Sequence, residues 1–328
     1  RNIARGLQRH SPQLCSRTHN PHFIRERNVT RTLIGADVGG TRTTAAVSDG
    51  DRITGRAEGA GAAVRPGRAL ASAAVIAEVT RRALAAAGRL SGDVLVVGAA
   101  GAGREIERDE LRKALRGENL ATKVVVQTDI EIALAAAFPE GPGIVVSAGT
   151  GSVAVGRDRA GGQHRIGGFG WQMGDEGSGY AIGRAALGVV SRAADGRGPR
   201  TALLDGVLSA TRSPDLDALV RWAAGASPAE VAALAPHVLA VAEQGDALAA
   251  GIADHAAREL SQLAIGLLPL VGADGRIGVA ITGGLLGREG LLRRSVLSIL
   301  GAEPRLEPVE KQVDAVLGAL KLAEREPA

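Results

Sequence analysis

Two short runs carry the residue types that hold phosphate: Asp37-Val38-Gly39-Gly40-Thr41-Arg42-Thr43 and Gly149-Thr150-Gly151-Ser152. Glycine permits positive φ and leaves no Cβ between backbone amides and an anion. Consecutive amides in such a turn make an anion-binding concavity. Thr41, Thr43, Thr150 and Ser152 add hydroxyl donors, and Asp37 closes an apolar run where a carboxylate can hold Mg2+ through water. Each run sits between two apolar stretches, so it reads as a hairpin. A dinucleotide fold would pass from the glycines into a helix, and a P-loop would end in Gly-Lys-Ser/Thr; neither is present. A plain Gly-Gly hairpin explains one such run equally well. Two at equivalent places in the chain point to phosphate.

Three further sites accompany them. Gly283-Gly284 follows the apolar Val279-Ala280-Ile281-Thr282 and offers bare backbone to a flat group, or a strand-to-helix turn. Thr128-Asp129 follows Val124-Val125-Val126 and opens a helical stretch. A carboxylate at the C-terminal end of a strand faces the ligand crevice of an α/β fold, where it can take the proton of a substrate hydroxyl. Asp is also a favoured helix N-cap, so base and cap both stand. The stretch Gly167–Tyr180 holds six Gly, Trp171, the chain's one Met and one Tyr, and the adjacent acids Asp175 and Glu176. Trp171 offers a flat face for a sugar ring, and the two carboxylates can accept from hydroxyls. A Gly-rich loop with one anchoring Trp is the alternative. The six His show no metal-ligand spacing.

The patterning supplies elements to position these groups. Strands are expected at 32–38, 43–47 and 52–58, a helix at 68–89, a strand at 93–99, a helix at 105–116, a strand at 123–127 and a helix at 131–138. The pattern then restarts with strands at 143–148, 153–156 and 164–166. Helices follow at 177–195, 199–210, 214–224, 227–245 and 246–270. A strand at 277–282, a helix at 287–299, an extended piece at 303–306 and a closing helix at 312–325 complete the chain. Two half-chains offset by about 110 residues are too far apart for a solenoid. They imply two similar α/β domains facing each other across a cleft.

Composition narrows the function classes. The chain has 328 residues, a length for about two domains with a large core. Aromatics are 2% of the chain, which argues against base-stacking platforms for single-stranded nucleic acid. No apolar run is long enough for a membrane span. The basic charge is local: residues 1–31 hold seven Arg against Glu26, or +6 in a chain of net +4, which leaves −2 for the rest. That segment reads as a disordered basic tail whose removal leaves activity intact, although a basic arm can also bind anionic surfaces. The single cysteine, Cys15, lies in it. No intrachain disulfide or thiolate cluster is possible, which fits a reducing cytoplasm.

Asp37–Thr43, Thr128-Asp129, Ser147–Ser152, Gly170–Gly183 and Thr282-Gly283-Gly284 together resemble the sugar-kinase/actin/Hsp70 superfamily. The run Gly170-Trp171-x-x-Gly174-Asp175-Glu176-Gly177-Ser178-Gly179-Tyr180-x-Ile182-Gly183 resembles the BadF/BadG/BcrA/BcrD ATPase family, which includes N-acetylglucosamine kinases. The resemblance covers about residues 32–325. It implies two ribonuclease-H-like (actin-like ATPase) domains, 32–140 with the closing helix and 141–311 with a helical insertion, closing on Mg-ATP. It assigns Asp37, Gly39, Gly40 and Thr41 to one phosphate site, Thr150, Gly151 and Ser152 to the other, and Gly283 and Gly284 to adenosine. Asp129 becomes the catalytic base, with Thr128, Trp171, Asp175 and Glu176 on the sugar side. The implied activity is phosphorylation of an amino sugar such as N-acetylglucosamine or glucosamine, by a cytoplasmic homodimer with no nucleic-acid or membrane partner. The family pattern is broken in the loop Gly59–Gly67, which lacks the Asn such kinases place against the sugar, so the sugar itself stays open. The family also holds ATPases that activate a partner through an iron–sulfur cluster, which needs interface cysteines that 32–328 does not have. A nucleotide sensor without turnover is the remaining reading, and the presence of Asp129 argues against it.

Overall fold

The computed structural model describes residues 31–327 apart from 51, 273–274, 287–289 and 311. The expectations for the tail 1–30 and Cys15 lie outside the described residues. The first sheet is built from β1 (Thr32–Val38), β2 (Arg42–Asp49), β3 (Ile53–Ala60), β4 (Gly92–Ala99) and β5 (Ala121–Gln127). Its order is β3-β2-β1-β4-β5. β1 pairs antiparallel to β2 with Val38 opposite Thr43, and parallel to β4 with Asp37 opposite Gly98. The second sheet uses β6 (Gly143–Ala148), β7 (Ser152–Arg157), β8 (Gln163–Gly167), β9 (Ile277–Thr282) and β10 (Leu306–Val309). Its order, β10-β9-β6-β7-β8, is the same topology, with β6 antiparallel to β7 and parallel to β9. The two glycine runs therefore occupy equivalent corners of two equivalent sheets.

In the first half, α1 (Ala69–Ala86), α2 (Glu105–Gly117) and α3 (Asp129–Ala137) follow β3, β4 and β5. In the second, α4 (Gly179–Ala194), α5 (Leu203–Thr211), α6 (Leu216–Gly225), α7 (Pro228–Ala232), α8 (Ala235–Glu243) and α9 (Ala247–Val271) lie between β8 and β9. Then come α10 (Leu291–Ala302) and α11 (Ala315–Arg325). The single helix expected at 227–245 is two. Pro236 sits in the first turn of α8, where its missing N–H costs no hydrogen bond, whereas inside a continuous helix it would remove one. The extended piece expected at 303–306 begins at Leu306, because Glu303 closes α10 with a turn in which Leu306 N–H donates to the Glu303 carbonyl at 3.0 Å.

Central strands are buried on both faces, which their unbroken apolar runs require. On one face of the first sheet, Ile34, Ala36 and Val97 pack on Ile76 and Leu84 of α1 and Leu111 and Leu115 of α2. Its other face is covered by α11, whose Val316, Ala319, Leu320 and Ala323 pack on Leu33, Ala46, Val94 and Val96. Conversely α3, which follows the first sheet, sets Ile130, Ala133 and Leu134 on Val145, Val155 and Ala280 of the second. Each closing helix thus serves the other half's sheet. The two helices touch through Gly318, where a Cβ would fall 1.8 Å from the Ile132 carbonyl. Each large side chain buried this way contributes roughly 1.5–3 kcal/mol. Among the described residues no helix is long and apolar enough to cross a membrane.

Candidate active site

Both glycine corners leave amides free. Gly39 N–H closes its turn on the Arg42 carbonyl at 2.9 Å, and Gly149 N–H closes the other on Gly151 at 2.9 Å. The amides of Gly40, Thr41, Thr150 and Gly151 donate to no acceptor among the described residues. Thr41 and Thr150 are exposed at the two tips. None of Gly39, Gly40, Gly149 and Gly151 occupies the left-handed region; φ is positive instead at Gly283. What these corners need from glycine is space. A Cβ on Gly151 would fall 2.7 Å from the Asp175 carboxylate.

The first corner is supported by a loop that the sequence marks only as Gly- and Ala-rich. Ala62 N–H donates to the Gly39 carbonyl at 3.0 Å, and Val64 N–H to Ala100 at 2.8 Å. Gly61 lies flush on the Gly40–Thr41 peptide, since a Cβ there would stand 2.2 Å from the Gly40 carbonyl oxygen. The second corner is supported by the Asp175–Tyr180 segment. Gly179 N–H donates to Gly149 at 2.8 Å and Tyr180 N–H to Thr150 at 3.2 Å. Gly283 joins the same corner, packed on the Ala148 backbone at the end of β6.

Three assigned hydroxyls are turned away from the corners: one is buried without a partner and two are bonded elsewhere. Thr43 alternates inward on β2, is fully buried, and its hydroxyl has no partner within hydrogen-bonding distance. It faces the core and cannot meet a phosphate. Ser152 is buried too; its hydroxyl donates to the Glu176 carbonyl at 2.7 Å and its N–H to Asp175 Oδ1 at 3.3 Å. It ties the corner to the Asp175 loop instead of reaching solvent. Thr128 is the N-cap of α3 in a complete capping box with Glu131: Glu131 N–H donates to Thr128 Oγ1, and Thr128 N–H and hydroxyl both donate to Glu131 Oε2.

That cap decides the ambiguity at Asp129. Asp129 is the first residue of the helix, not its cap, and its carboxylate accepts from the adjacent Ile130 N–H at 3.0 Å. Loss of solvent pushes the Asp129 carboxyl above the usual carboxylate range, against the Ile130 N–H and the cation of Arg165; Glu131 adds to the rise. The half-buried Asp37 carboxyl is pushed up to about 6, first by desolvation and next by the charge of Asp129, while Arg42 and Arg56 pull it down. Asp175, buried and in the left-handed region at φ 61°, is raised by desolvation; the Ser152 amide and Arg165 oppose this. Asp37, Asp129, Arg165 and Asp175 therefore feel one another in sequence. Arg165, on the short strand β8, carries no sequence signal that would have singled it out.

The other two groups lie apart or open. Glu176 is exposed. Trp171 is 44% exposed and packs on Tyr180 with ring centroids 5.2 Å apart. With Tyr180, Arg184 and Val231 it lines a cavity of about 420 Å³ against α4 and α7, and none of Asp37, Asp129 and Asp175 is in that lining.

Among the described residues no three His, Cys, Asp or Glu side chains cluster as a metal cage. A cation here fits Asp37 alone, with waters and phosphate oxygens completing its shell. That is the manner in which Mg2+ is usually held, and Asp37 is a half-buried carboxylate near the end of β1, beside the first glycine corner.

The sequence profile of the BadF/BadG/BcrA/BcrD ATPase family matches residues 34–323. The N-acetylmuramic acid/N-acetylglucosamine kinase of Clostridium acetobutylicum is 30% identical over 71% of this chain and 77% of its own length. The glucosamine kinase of Vibrio cholerae is 28% identical over 71% of this chain and 79% of its own. A solved structure from Chromobacterium violaceum, named as an N-acetylglucosamine kinase, superposes with a TM-score of 0.75 at 28% identity, covering 90% of this chain and 99% of that one. The chain belongs to the BadF/BadG/BcrA/BcrD ATPase family.

Proposed function

We propose, with that family as the premise, that the chain is a kinase that transfers the γ-phosphoryl of Mg-ATP to a hydroxyl of an amino sugar such as N-acetylglucosamine or glucosamine. The observation that carries the reading is Asp129: Thr128 takes over the helix cap, so a half-buried carboxylate with raised proton affinity, bonded to the Ile130 N–H, is not spent on capping, and its charge acts on Asp37. Raised proton affinity suits a general base working near neutral pH. The relatives that act on N-acetylglucosamine, N-acetylmuramic acid and glucosamine support the substrate class.

In this reading residues 32–140 with α11, and residues 141–311, are two domains that close on the nucleotide. Free amides of Gly40, Thr41, Thr150 and Gly151, with the Thr41 and Thr150 hydroxyls, bind the phosphate oxygens from both sides. Gly283 and Gly284 leave room for the adenosine. Asp37 would hold Mg2+, which would supply positive charge to neutralise the phosphates. Asp129 accepts the proton of the sugar hydroxyl as that oxygen attacks, and Asp175 holds the loop beside it. The chain is taken to work in the cytoplasm on a small sugar, as a homodimer. A coupled ADP-release assay over N-acetylglucosamine, glucosamine, N-acetylmuramic acid and glucose tests this. Sugar-dependent turnover that Asp129→Asn removes is expected. ADP release indifferent to every sugar would sink the kinase reading in favour of an ATPase that activates a partner.

A further inference from the structure

The cavity against α4 and α7 takes no part in the scheme above. Tyr180, Arg184 and Gly188 recur every four residues, so they form one stripe along α4 that lines it. The stripe starts at the Trp171–Tyr180 ring pair. That end is anchored to the second glycine corner, because Tyr180 N–H donates to the Thr150 carbonyl at 3.2 Å. The facing wall is apolar, with Ala223 and Ala226 at the end of α6 and Val231 on α7. At about 420 Å³ the cavity falls within the ~300–1,000 Å³ typical of small-molecule sites.

Two features of the lining have no packing reason. Arg184 is its one charged member, no carboxylate lines the cavity, and among the described residues Arg184 has no hydrogen bond or ion pair. Gly188 sits inside a helix, where glycine is a poor former, yet a Cβ on it would meet nothing within 4 Å. No close neighbour demands that glycine, and it leaves the floor of the cavity open. The lining thus offers a flat aromatic face, apolar sides and one unanswered cation. The first two suit the C–H face of a sugar ring, and a guanidinium pairs with a carboxylate through two parallel hydrogen bonds.

We propose that this groove binds an acidic amino sugar, with apolar ring or substituent surface against Trp171 and a carboxylate on Arg184. The inference deepens the kinase reading and rests on it for the sugar, since the lining by itself asks for a flat apolar group beside an anion. It makes Arg184 the residue that selects an amino sugar with a carboxylate over a neutral one.

Isothermal titration calorimetry on the whole chain tests this with N-acetylmuramic acid, whose lactyl arm carries a carboxylate, and neutral N-acetylglucosamine. Wild type is expected to bind the acid. A hydrogen bond to a charged group is worth about tenfold or more in affinity, so Arg184→Gln is expected to lower the acid-to-neutral affinity ratio about tenfold. Wild type that does not bind the acid overturns the proposal. So does a ratio left in place because Arg184→Gln weakens both sugars alike or neither. Gly188→Leu fills the open floor with a better helix former, so it is expected to fold as wild type and to lose binding of the acid; retained binding is again a refutation. Calorimetry needs neither ATP nor turnover. Discrimination of the acid without sugar-dependent ADP release would defeat the kinase reading alone, and turnover with an unchanged ratio would defeat the groove alone.

Discussion

Asp37 is expected to be a site where function is held at the expense of stability, and Asp37→Asn makes this measurable. Its carboxyl rises from 3.8 to about 6, driven first by desolvation and then by Asp129. At about 1.4 kcal/mol per pH unit, ionising Asp37 in the folded chain costs about 3 kcal/mol relative to the unfolded one. The sign follows from linkage. Below pH 3.8 the group is protonated in both states and costs nothing. Between 3.8 and 6 the folded state holds the extra proton, so stability falls as pH rises, and above 6 the whole cost is present. Asparagine removes it. Urea midpoints for wild type and Asp37→Asn across pH 4 to 8 read this group together with its coupling to Asp129. The variant is expected to be more stable by about 2–3 kcal/mol at pH 7.5, with the gap closing toward pH 4, while turnover is lost. Saturating Mg-ATP should narrow the gap by stabilising wild type more. A variant less stable than wild type at pH 7.5, or a gap that does not change with pH, would refute the reasoning.

Other expectations are quicker to check. Asp129→Asn should lose about 10²–10⁴-fold in kcat with little change in the sugar KM, the scale of a missing general base. Thr150→Ala should raise the KM for ATP without a change in unfolding midpoint, because the hydroxyl is exposed and unbonded. Ser152→Ala should do the reverse, losing about 1 kcal/mol of stability with its hydrogen bond to Glu176. Gly61→Ala puts a methyl 2.2 Å from the Gly40 carbonyl oxygen; calorimetry and ATP kinetics should show about 1–3 kcal/mol of destabilisation and a weaker first phosphate site together.

The sequence alone determined a good deal. Strands 32–38, 143–148 and 277–282 were legible because double burial forces unbroken apolar runs, and the repeated Gly corners gave away two equivalent halves. Asp37 and Asp129 were legible because each ends such a run at its C-terminal end. What stayed hidden needed distances between residues remote in the chain. Thr43 and Ser152 have the right chemistry for phosphate, but strand register turns both inward. Thr128 and Asp129 are adjacent acceptors, and only the observed capping box says which one is spent on the helix. Gly61 and Gly103 look like loop filler until another backbone or a guanidinium is found where their side chains would be. α3 and α11 each cover the sheet of the opposite half, an exchange invisible to periodicity, since an apolar stripe records that a face is buried but not what buries it. Arg165 is the extreme case: charge carries no periodicity, and its approach to Gly103 exists only once the chain has brought β8 back to the loop after β4.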